Sequence, residues 1–149
     1  MDILSEQDYV IIDTFLDDAL YGTLRNFLLE KIDVFDQAVI GTLNQHVIKQ
    51  RIRGARTYWL NKNGDSALHY FWQLLEETKF IVNRYCYLSL SGKAFHLAHD
   101  PSGGHYVRHL NQFVGRNNRT ISMVIYLNED WQPAHGGQLE ILDNNKQLK

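Results

Sequence analysis

The chain has 149 residues, 44% hydrophobic and 12% aromatic, which suits one domain with enough apolar mass for a core. A formal charge of -2, from 15 basic against 17 acidic residues, gives no electrostatic basis for binding nucleic acid or an anionic membrane, and leaves a small neutral or acidic partner open. The lone Cys86 cannot close an internal disulfide, and no apolar run is long enough for a bilayer span or a signal-peptide core, so a soluble cytoplasmic protein is expected.

In chain order, Tyr9 to Asp13 is a short β-branched run that reads as a strand. Leu16, Leu20, Leu24, Phe27, Leu28 and Ile32 then fall at helical spacing, with Asp17 and Asp18 near the positive end of the helix dipole. Residues 34–60 hold short strand-like pieces, including Thr57-Tyr58-Trp59-Leu60, among the basic residues Arg51, Arg53 and Arg56. Asn61 to Ser66 is a turn-rich break ending in a plausible N-cap. A second helical stripe follows in Leu68, Phe71, Trp72, Leu75 and Val82, and an aromatic stripe of this kind is more often core than cofactor box. From Phe95 the texture changes to short strands separated by Gly, Asn and Pro, at 95–99, 104–113, 119–128 and 137–142. The expectation is a single domain over 1–149, with helical support over about 1–90 and a β-rich core over about 91–149. Its fold class is α+β.

The segment His105 to Phe113, HYVRHLNQF, carries the most chemistry. Residues two apart on a strand project from one face, so His109 and Asn111 would point to the same side and could share one ion. A strand pair plus one ligand from a distant strand is the geometry of the two-His, one-carboxylate facial triad for Fe(II). Taken alone, His109 reads as a hydrogen-bonded core histidine, and Asn111 as a strand amide with a structural hydrogen bond.

The wider pattern is more specific. Gly103, Gly104, Tyr106 and His109 are followed by Arg119-Thr120-Ile121-Ser122, Val124-Ile125-Tyr126-Leu127-Asn128, Trp131, Pro133 and Gly136-Gly137-Gln138-Leu139. In order and spacing this resembles the prolyl 4-hydroxylase-type 2-oxoglutarate and Fe(II)-dependent oxygenases, closely over 95–142 and loosely over the N-terminal helices. The resemblance implies N-terminal helices packed on a double-stranded β-helix, or jelly roll. It also implies Fe(II) and 2-oxoglutarate as cofactors, and hydroxylation of a prolyl or other side chain on a peptide or small-molecule substrate. His109 then corresponds to the first metal ligand, and Asn111 occupies the position of the carboxylate ligand. No catalytic residue and no cosubstrate-binding residue is assigned.

Three departures qualify that implication. An amide at Asn111 brings a dipole where a carboxylate would offset the dication, which weakens metal binding. Asp100 stands where the family usually has a tyrosine, and an ionised Asp only accepts hydrogen bonds. The second histidine and the basic cosubstrate-binding residue of the family fall beyond the Gly-Gly-x-Leu strand, and no residue up to Lys149 is assigned to either role. The expectation is a barrel incomplete in its last strands, with exposed edges that a homo-oligomer would cover, and a chain inactive by itself. The alternative is a non-catalytic relative that serves as a binding or interaction module. His105 and His135 read as exposed, His96 and His99 receive no role, and Tyr106 and Trp131 read as packing groups.

Overall fold

The structure is a computed structural model that describes residues 2–37, 56–104, 120–143, 145 and 147–148. Among the described residues there are three helices, α1 (Asp2–Gln7), α2 (Asp18–Lys31) and α3 (His69–Tyr85), with strands β1 (Asp36–Gln37), β2 (Arg56–Trp59) and β3 (His96–His99). Tight 3-10 turns occupy Ile32–Val34, Ser66–Leu68 and Pro133–His135.

α2 starts where the sequence indicates. Asp17 is extended, and its carboxylate accepts the Leu20 N–H at 2.7 Å, satisfying one of the free donors of the first turn. Asp18 lies in that first turn and Lys31 in the last, so both charges complement the helix dipole. α3 departs from expectation at its start, because Ser66 opens a 3-10 turn and does not cap the helix. The acidic side chain nearby is engaged elsewhere. Asp65, buried at 6% exposure, accepts the Tyr58 hydroxyl at 3.0 Å and the Asn61 N–H at 2.6 Å.

The strands pair antiparallel in the order β1-β2-β3, with Arg56 opposite His99 and Trp59 opposite His96. Alternation along β2 and β3 gives the sheet two unlike faces. Tyr58 and Leu97 share one face and pack into the core with Leu24 and Phe27 of α2, Phe35, and Leu68, Phe71, Trp72 and Leu75 around α3. Tyr58 stacks on Phe35 and meets Phe27 edge to face, at centroid separations of 5.9 and 6.1 Å. The aromatic stripe at Phe71 and Trp72 is therefore core, as its spacing suggests.

Two expectations are corrected. Tyr9 to Asp13 forms no strand: Val10, Ile11 and Ile12 are exposed and no described neighbour pairs with that backbone. β-branched composition favours a pleated, half-buried surface, and without one it does not make a ladder. The described parts of 119–128 and 137–142 likewise form no strand among the described residues, apart from an isolated antiparallel bridge between Leu142 and Leu148. Met123, Ile125 and Leu127 nonetheless alternate onto the core as a strand would require. Of the expected jelly roll, the described residues form this one α+β unit with a three-stranded sheet; the expected strand 104–113 lies outside them apart from Gly104.

Candidate functional site

Among the described residues, the helices cover one face of the sheet and leave the other open. On that open face Trp59, 59% exposed, packs its indole against the exposed His96 ring, with centroids 4.9 Å apart, beside Thr57 and Ala98. β2 is held against the helices by side chains of its covered face. The Tyr58 hydroxyl donates to Asp65, and the Arg56 guanidinium donates to the carbonyls of Phe35 and Asp33. The hydrogen bond to Asp65, reinforced by burial and by the negative charge beside it, raises the Tyr58 pKa above the ordinary phenol value and keeps it a donor.

From β3 the chain passes through a turn at Asp100–Gly104 and leads directly to the stretch that carries the candidate ligands. Gly103 has φ 78°, and a Cβ at Gly104 would lie 2.9 Å from the Pro101 carbonyl, which accepts the Gly104 N–H. Both glycines are thus required by the backbone. Asp100 is exposed at the turn. His109 and Asn111, the candidate metal ligands, lie outside the described residues, as do His105, Tyr106 and Arg119.

The segment after them is tied down by side chains. Arg25 of α2 pairs with Glu129 at 2.8 Å, and the Tyr21 hydroxyl donates to the Leu127 carbonyl at 3.4 Å. The Tyr126 hydroxyl accepts the Leu139 N–H at 2.9 Å and donates to the Gly137 carbonyl at 3.4 Å, joining two extended stretches without a backbone ladder. The intervening loop closes on itself, with the Trp131 indole N–H donating to the Gly136 carbonyl at 2.7 Å and the Gln132 N–H donating to His135 Nδ1 at 3.2 Å. His135 is exposed, as its sequence context suggests, and its ring serves as a cap for this turn. Gly136 and Gly137, at φ 68° and 79°, allow the chain to leave the loop.

Among the described residues no group of three or more His, Cys, Asp or Glu side chains could hold a metal ion. The buried His99 Nδ1 has no hydrogen-bond partner there, but His99 alternates onto the face of Leu97 and stands opposite Arg56. The described residues by themselves therefore do not fit a metal. Tyr126 and the Trp59–His96 pair are the features that sequence reasoning undervalued. The signal for Tyr126 was its position between the inward residues Ile125 and Leu127. His96 has no such signal, since its contact with Trp59 depends on the pairing of β2 with β3.

Comparison with known proteins agrees with the family resemblance. Residues 95–149 match the 2OG-Fe(II) oxygenase superfamily. The structure is similar to the crystal structure of a Pseudomonas putida prolyl-4-hydroxylase, with a TM-score of 0.82 and 25% sequence identity over 99% of this chain and 76% of that one. Both are likenesses to 2-oxoglutarate oxygenases, the first over the C-terminal third of the chain and the second over almost its whole length. No helix among the described residues is long and apolar enough to cross a membrane.

Proposed function

We propose that this chain carries the scaffold and metal-binding strand of a 2-oxoglutarate- and Fe(II)-dependent hydroxylase that acts on a prolyl or other peptide side chain. The observation that carries the reading is the whole-chain similarity to a prolyl-4-hydroxylase, together with the family match over the segment that contains His109 and Asn111. The same similarity supports completion of the three-stranded sheet into a double-stranded β-helix. In that arrangement the helices back the sheet, and the open face bearing Trp59 and His96 turns toward the interior where substrate would lie.

With iron and 2-oxoglutarate bound, O2 would be the oxidant for an unactivated C–H bond, and the oxo acid would serve as the two-electron co-reductant that leaves as succinate and CO2. For its own part the chain offers His109 as a neutral imidazole donor and Asn111 as an amide oxygen. Asn111 makes this a weak site, because its dipole does not offset the charge of a dication. The match of the oxygenase family over the glycine and aromatic framework favours this reading over a purely non-catalytic binding module.

The test is anaerobic Fe(II) binding by the chain, by Asn111→Asp and by His109→Ala, followed by succinate formation from 2-oxoglutarate with and without a proline-containing peptide. One added negative charge beside a cation contributes on the order of 1–4 kcal/mol near a protein surface. Asn111→Asp should therefore tighten Fe(II) by about tenfold or more, and His109→Ala should abolish binding. Equal Fe(II) affinity in all three proteins would refute the ligand assignment. Peptide-stimulated succinate formation supports the hydroxylase reading. Failure of every form to bind either Fe(II) or 2-oxoglutarate would overturn it.

A further inference from the structure

We draw no further inference here: the strongest candidate, the exposed Trp59–His96 side-chain pair on the sheet face turned away from the helices, belongs to the candidate site already described, and nothing in the structure shows what covers it.

Discussion

The unit formed by α2, α3 and the sheet and the segment 120–143 meet the same physical demand in different ways. In the first, backbone groups pair within helices and along the β2–β3 ladder, while Leu24, Phe27, Phe71, Trp72, Leu75 and Leu97 remove apolar surface from water. In the second, Met123, Ile125 and Leu127 reach the core, and among the described residues the side chains of Tyr21, Tyr126, Trp131 and His135 hydrogen-bond its backbone. Stability should therefore be concentrated in the helix-backed sheet. Order in the segment that leads to Gly136-Gly137-Gln138-Leu139 should depend on a few individual hydrogen bonds.

The largest effect is expected in the core. Phe71→Ala removes a buried ring that packs against Trp72 and Phe95 and should cost about 3–5 kcal/mol in denaturant unfolding. A loss below 1 kcal/mol would mean that the core is not the dominant support.

Next comes the Asp65 junction. Asp65→Ala leaves the Tyr58 hydroxyl and the Asn61 N–H without their acceptor and should cost about 1–3 kcal/mol. Because the raised Tyr58 pKa arises first from the hydrogen bond to Asp65, the variant should also titrate Tyr58 closer to the ordinary phenol value. In the parent protein a raised folded pKa means that this contribution is complete below the unfolded value of 10.0. It is lost as pH rises through the folded value. Ultraviolet titration of the parent and Asp65→Ala proteins checks the direction.

A smaller and local change should follow Tyr126→Phe, which removes the hydroxyl that accepts from Leu139 and donates to Gly137. Global stability should fall by no more than about 1.5 kcal/mol. Amide exchange at Leu139 should accelerate much more than exchange in α3, and equal acceleration in both regions would erase the contrast between them.

The smallest effect belongs to the surface. Glu76 on α3 pairs with Lys93 and with Lys79 at 2.9 Å, and Lys62 lies 3.8 Å away. Hydrogen bonds from Lys93 and then Lys79 hold its pKa down to about 2, from an ordinary 4.5. A depressed carboxylate pKa contributes stability above the unfolded value and loses it as pH falls toward the folded one. Stability should thus decline between about 4.5 and about 2, and Glu76→Gln should flatten that part of the acid profile. An unchanged slope would show that the pairing is not maintained in solution.

Much of the helix-backed sheet was legible in the sequence, since Leu24, Phe27, Phe71, Trp72 and Leu75 repeat at helical spacing and Asp17 and Asp18 sit where a helix dipole favours acids. The same local logic failed at Tyr9 to Asp13, where strand propensity had no neighbouring strand to pair with, and at Ser66, where a favourable capping residue opened a 3-10 turn. For the candidate site, the order of glycines, aromatics and His109 carried the family, and the requirement for glycine at 103 and 104 follows from the turn geometry. The contact of Trp59 with His96 was not legible, because 36 intervening residues separate them in the chain and only strand register brings them together.

The sequence by itself determined the helical stripes, the glycine turn and the chemical character of His109 and Asn111, because each depends on residue type and short-range spacing. Tertiary structure alone decided which sheet face is buried. α2 and α3 pack on the side of Tyr58 and Leu97, and alternation then leaves Trp59 and His96 on the other. It also decided that Asp65 serves β2 instead of a helix end, because its two carboxylate oxygens accept the Tyr58 hydroxyl and the Asn61 N–H at a buried position where an unpaired donor would be costly.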